Sequence, residues 1–229
     1  MSAHPSCRRY CDDTEQMDRS VRATVAKSGL YLVLAGGAGA LERLRAALAA
    51  APAAAVLIKP AAGAGNEAVR ALIELAQSKG AAALIDGDAR LARTLRADGV
   101  HLPWSADLDK RYAEAREILG NRFIVGADAG ASRHDAMELG EAGADYVGFD
   151  LSGREPDHAS HLELIEWWAE IFEVPCVALG VETTEQAQAA SKAGADFIGL
   201  HLRPALSPAA SAELTGTVAA IDASTEDRG

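Results

Sequence analysis

Short apolar runs recur along most of this chain, each followed by a stretch with helical spacing. The runs fall at residues 30–34, 54–58, 82–85, 99–102, 123–127, 146–149, 176–179 and 197–200. They are rich in Val, Ile, Leu and Ala, and their shortness predicts strands covered on both faces. Residues 41–51, 67–79, 89–97, 108–119, 133–142, 161–172, 185–193 and 208–221 carry the helical pattern between and after them. Pro208 stands near one helix start, and Gly80, Gly143 and Gly194 stand just past helix ends. Eight strands alternating with eight helices predict an α/β fold, a (β/α)8 TIM barrel spanning residues 28–222. An open doubly wound sheet is the alternative, but it gives no reason for the count to stop at eight.

One phrase marks the joints. AGADYVGFD at 142–150 and AGADFIGLH at 193–201 are near copies, and ADGVHLP at 97–103 is a shorter relative. The Gly ends a helix in a left-handed conformation, the Asp occupies the turn, and the apolar letters begin a buried strand. The offset of 51 residues (193 − 142) suits two strand–helix units. Residues 1–27 are polar and without period, so they form an extension outside the fold; residues 223–229 form a charged, frayed tail.

Composition changes the picture only by exclusion. The net charge is −11 with no basic stripe, which argues against nucleic acid and anionic membranes as partners. Backbone amides can still hold a phosphate on an acidic protein. Apolar runs stop well short of a membrane span, and the N-terminus lacks a signal-peptide core, so a cytoplasmic protein is expected. Cys7 and Cys11 lie in the polar extension with only His4 nearby, and Cys176 lies in a strand run. They make neither a disulfide framework nor a complete zinc site. Homo-oligomer formation is left open.

With the alternation laid out, the strand phrases resemble those of the thiamine-phosphate synthase family, which includes the thiazole tautomerases. LYLVLAG at 30–36 resembles that family's opening strand, and GAAALIDGDARLARTLRADGVHLP at 80–103 its third strand, helix and fourth strand. FIVGADA, GADYVGFD and VPCVALGVETTEQAQAASKAGADFIGL continue the likeness in order, over residues 29–205. The resemblance implies a transferase of thiamine biosynthesis that joins hydroxymethylpyrimidine diphosphate to thiazole phosphate and releases pyrophosphate. It also implies Mg2+ held by carboxylates, cations on the diphosphate and a backbone cradle for the second phosphate. Diphosphate departure builds negative charge, which a metal and Lys or Arg stabilise directly.

The chain departs from the family where that chemistry would sit. After strand two the family's Gln, Arg and Lys are thinned to Lys59, which either grips a phosphate or is a solvated rim lysine. After strand three Asp86-Gly87-Asp88 flanks the family's metal carboxylate, so Asp86 is the candidate ligand and Asp88 a helix cap. After strand four Pro103-Trp104 replaces Gly-Gln, and Asp107, one place late, either reaches the metal or caps the next helix. His101 is expected to pack inside the barrel, and Trp104 to sit at its mouth.

Asp128 takes the place of the family's Ser after strand five, and Gly130 that of the tautomerase His, while His134 falls within the next helix. After strand six Asp150 stands where an anion is expected, with Arg154 the replacement cation. After strand seven Gly180 and Val181 form the phosphate cradle, with Glu182 opposing an anion and Thr183-Thr184 either adding hydroxyls or capping the helix. His201 and Arg203 follow strand eight, Arg203 restoring a cation beside that cradle. Lys59 and Asp128 are thus the catalytic candidates. Lys59, Arg154, Gly180, Val181 and Arg203 are the substrate and phosphate ligands, and Asp86 and Asp107 the metal ligands.

Each lost clamp of about 3 kcal/mol costs roughly a hundredfold in rate. Three readings therefore stand side by side. One is a divergent synthase, and another a non-catalytic barrel that binds a small phosphorylated metabolite of the thiamine pathway or a protein. The third is an enzyme of altered chemistry using Asp86, Asp128 and Asp150.

Overall fold

The computed structural model describes residues 28–150, 158–202 and 208–226. Among them, eight parallel strands pair in chain order and close into one barrel. The strands are β1 (Gly29–Ala35), β2 (Ala55–Lys59), β3 (Ala82–Asp86), β4 (Gly99–Leu102), β5 (Ile124–Asp128), β6 (Tyr146–Asp150), β7 (Cys176–Val181) and β8 (Phe197–His201). The described helices are α1 (Ala40–Ala50), α2 (Asn66–Ser78), α3 (Ala89–Leu95), α4 (Leu108–Leu119), α5 (Arg133–Glu141), α6 (His158–Ile171), α7 (Thr184–Lys192) and α8 (Pro208–Glu226). The closed ring rules out the open sheet. Helix α8 continues through Glu226, past the expected end at Ile221.

Alternation along each strand sorts side chains into two cores. Leu32, Leu34, Val56, Ile58, Val100 and Val147 face outward and pack with the helices. Tyr31, Val33, Leu57, Leu84, Tyr146 and Leu179 face inward and fill the barrel. Large and small residues interlock there. A Cβ on Gly126 would run into the Tyr146 ring, and one on Gly148 would lie 3.2 Å from His101 Cε1. Strand β4 reads Gly-Val-His where β6 reads Tyr-Val-Gly, so bulk in one strand meets a gap in the other.

The repeated phrase builds the lower rim. Gly143 and Gly194 take the left-handed conformation expected, with φ of 82° and 103°. In the shorter copy Arg96 occupies the same place at φ 61°. The following Asp then staples its strand to the one before. The amide of Ala83 donates to Asp98 Oδ2 at 2.7 Å, that of Val125 to Asp145 Oδ2 at 2.8 Å, and that of Cys176 to Asp196 Oδ2 at 2.8 Å. Cys176 is buried, and burial next to Asp196 pushes its thiol up to about 12.

Candidate active site

Strand parity carries the inward row to the C-terminal mouth, where barrels of this kind place their chemistry. Lys59 closes β2, Asp86 β3, Asp128 β5, Asp150 β6 and His201 β8. Each shares the parity of an inward neighbour two residues earlier, such as Leu57 before Lys59 and Leu84 before Asp86. His101 lies one layer below, 3 % exposed and inside the barrel as expected.

These groups form one electrostatic unit around Lys59. Burial raises the Asp86 carboxyl above the usual carboxylate range, while Lys59 and then Arg111 pull it back down. Burial and then Lys59 push the His101 imidazole down to about 3, against the attraction of Asp150. His101 is therefore neutral. Burial and Lys59 also hold His201 below the ordinary imidazole range, opposed by Asp150 and Glu182. Beneath the mouth, His101 Nδ1 lies 2.9 Å from the Tyr146 hydroxyl, which lies 2.9 Å from that of Tyr31. Burial raises both phenols, so they remain neutral.

The sequence candidates separate on this frame. Lys59 and Asp86 come together electrostatically. Asp128 is 6 % exposed, and its Oδ1 accepts from the Gly130 amide at 2.8 Å in a turn that closes on itself. Asp88 caps α3, accepting from the Leu91 amide at 2.8 Å. Asp107 is exposed at the cap position of α4 and makes no side-chain cap bond. Among the described residues no group of three or more His, Cys, Asp or Glu could hold a metal.

Magnesium, however, takes only one or two carboxylates when phosphate oxygens and waters complete its octahedron. Asp86 fits that use. Its Oδ1 is buried and has no hydrogen-bond partner among the described residues.

Gly180 and Val181 lie inside β7 instead of in the loop after it. Gly180 has φ 70°, and the register shifts between Ala178 and Val181, a bulge that lengthens the strand. The adjoining loop is committed to the helix. Thr183 and Gln186 form a capping box, and Gln186 Oε1 accepts from the Glu182 amide at 2.8 Å and the Thr183 amide at 3.3 Å. Two amides of the expected cradle are thus already engaged. The Trp104 indole donates to Asp135 Oδ2 at 3.2 Å, in the first turn of α5, and lines a groove of about 770 Å³ between α4 and α5, with Tyr112 and Leu139. His134 lies in α5, 3.4 Å from Glu138. Arg154, Arg203, Cys7 and Cys11 lie outside the described residues.

Arg111 is the polar residue the sequence reading missed. It stands in the first turns of α4, and helical side chains lean toward the helix N-terminus, which here faces the mouth. That direction was a signal available from the spacing.

The fold and the mouth define the class: a (β/α)8 barrel that gathers lysine, carboxylates and imidazoles at the C-terminal ends of its strands. A family model described as thiamine monophosphate synthase matches residues 30–201. Within that class the chain belongs to the thiamine monophosphate synthase family. The thiamine-phosphate synthase of Erythrobacter litoralis is 45% identical over 123 residues, covering 51% of this chain and 56% of that protein. That of Methylobacillus flagellatus is 31% identical over 194 residues, covering 83% and 84%.

Against the first three curated relatives the chain spans 56%, 62% and 65% of their length. The thiamine phosphate pyrophosphorylase structure from Pyrococcus furiosus superposes with TM-score 0.69 at 22% identity, covering 87% of this chain and 98% of that one. Mycobacterium tuberculosis tryptophan synthase gives the same TM-score, 0.69, at 16% identity, covering 89% and 96%. Shape at this level therefore shows the barrel and does not choose the reaction.

Proposed function

We propose that the protein is a thiamine-phosphate synthase with a divergent site, joining hydroxymethylpyrimidine diphosphate to thiazole phosphate with release of pyrophosphate. Its partners are small phosphorylated metabolites, and its setting is the cytoplasm. Among the described residues no helix is long and apolar enough to cross a membrane. The observation that carries the reading is Asp86, its buried Oδ1 without a hydrogen-bond partner among the described residues, at the end of the strand beside the one that ends in Lys59, at the mouth of a barrel of this family.

Lys59 binds a phosphate oxygen and stabilises the charge that builds on the diphosphate as its carbon–oxygen bond breaks. Asp86 would hold Mg2+, with Asp107 the second candidate ligand across the β4–α4 turn. When bound, the ion neutralises part of the diphosphate charge. The bulge at Gly180 and Val181 would receive the phosphate of the thiazole, and Arg154 and Arg203, outside the described residues, are the further candidate cations for the substrates. Neutral His101, bonded to the Tyr146 hydroxyl, presents no charge to the pyrimidine.

Turnover of the two substrates with magnesium tests the reading, with Asp86→Ala as comparison. Product from the wild type and a loss of a hundredfold or about that in the variant is expected; no product at high enzyme concentration sinks it.

A second reading, a non-catalytic barrel that binds a thiamine-pathway metabolite, draws support from Asp150, an acid at the end of β6 that acts on both His101 and His201. Calorimetric titration with thiazole phosphate and thiamine phosphate decides it, since silence with both removes it. Altered acid–base chemistry through Asp86, Asp128 and Asp150 is the weakest reading, because Asp128 is buried with one oxygen tied to Gly130.

A further inference from the structure

Arg111 lies where a second cation for the diphosphate is wanted. Its Nη1 donates to the Pro103 carbonyl at 3.2 Å and to Ser105 Oγ at 3.1 Å, which moors the guanidinium to the loop after β4. The other end of the fork reaches over the turn after β3. Arg111 Nη2 is 3.7 Å from the point a Cβ on Gly87 would occupy, directly after Asp86. Gly87 itself is left-handed, with φ 70°, so a bare backbone faces the guanidinium.

Both hydrogen bonds of Arg111 use Nη1, and no ion pair among the described residues includes it. A half-buried guanidinium held by neutral oxygens keeps its charge available for an anion. The carboxylate beside it has a buried oxygen without a partner. Lys59 acts on that carboxylate from β2, and Arg111 acts on it from α4. The order along the rim is cation, carboxylate, cation. A magnesium diphosphate has the complementary order, with phosphate oxygens on either side of the metal.

We propose that Arg111 is a diphosphate-contacting residue, supplying from α4 a second cation on the side of Asp86 away from Lys59. This rests on the synthase reading of the same mouth.

The experiment is calorimetric titration of the full chain with inorganic pyrophosphate, with and without magnesium. It compares wild type, Arg111→Gln, Arg111→Met and Arg45→Gln. The last removes the same charge from a surface ion pair with Glu42. Thermal melting checks folding, and either folded Arg111 variant suffices. The expected result is a pyrophosphate affinity weakened about tenfold or more in the Arg111 variants, the loss of one charge-assisted contact, and unchanged in Arg45→Gln.

Wild-type binding retained in the Arg111 variants overturns the inference and leaves the synthase reading intact. So does an equal loss in Arg45→Gln, which would mean general electrostatics. No pyrophosphate binding by the wild type overturns the inference; joined to absent turnover, it removes the synthase reading as well.

Discussion

The hydroxyls of Tyr31 and Tyr146 meet 2.9 Å apart in the barrel interior, from strands β1 and β6, which are not neighbours in the ring. Tyr146 also reaches His101 Nδ1 at 2.9 Å and stacks on its ring, with centroids 5.7 Å apart and an interplanar angle of 8°. One hydroxyl thus serves two buried polar groups.

Tyr146→Phe should accordingly cost more than Tyr31→Phe. Losing the shared hydroxyl strands both the Tyr31 phenol and His101, a loss of about 3 kcal/mol against about 1 kcal/mol for Tyr31→Phe. Urea denaturation of the two single variants and the double variant measures this. A double variant equal to the sum of the singles would deny the coupling.

Asp86 should trade stability for function. Its carboxyl is raised by burial, so the folded protein binds a proton there that the unfolded chain has already lost. The sign follows directly: stability falls as pH climbs from the ordinary carboxylate value through the raised one. Asp86→Asn should therefore melt higher than wild type at neutral pH. The difference should shrink to nothing below about pH 4, where both states of the wild type are protonated. A difference that grows on acidification would contradict it.

Arg96 should be replaceable to advantage. It is exposed and left-handed at φ 61°, in the place filled by Gly143 and Gly194 in the longer copies. Arg96→Gly removes the Cβ strain and should raise stability by about 1 kcal/mol, measured by chemical denaturation. A loss would show that the Arg side chain matters more than its backbone.

Asp145 should distinguish charge from hydrogen bonding at the lower rim. Its Oδ2 accepts from the Val125 amide and from Arg116 Nη2, each at 2.8 Å. Asp145→Ala leaves the amide unsatisfied and should cost about 2 kcal/mol, whereas Asp145→Asn keeps an acceptor and should cost about half of that. Equal losses would place the stabilisation in the ion pair with Arg116 instead.

The barrel was legible in the sequence because its signal is distributed. Every strand repeats one alternation, and the joint before β4, β6 and β8 repeats how a helix turns into a strand, as Arg-Ala-Asp once and Gly-Ala-Asp twice. The mouth was legible only by position. Strand ends bring Lys59 and Asp86 to the rim, since parity carries inward-facing residues there. Loop shape was not legible. Trp104 meets Asp135 in the first turn of α5, and the bulge keeps Gly180 and Val181 within β7. The place of Arg111 depends on the direction of a helical side chain and on the oxygens of Pro103 and Ser105, which no local pattern announces.

The three stapling aspartates bind their strands two by two: β3 with β4, β5 with β6 and β7 with β8. Ser28 fastens the start of β1 to the joint before β8, donating to the Ala195 carbonyl at 2.7 Å. At its base β2 has the backbone bond from the Ala54 amide to the Leu30 carbonyl, 2.8 Å, and alanine has no side chain to add another. The strand that bears Lys59 is thus held without a side-chain staple, by its ladders to β1 and β3 and by the bond from the Ala82 amide to the Ala54 carbonyl, 2.9 Å. Its buried amides should exchange only when the ring itself opens, so that warming keeps the cation in place for as long as the barrel holds.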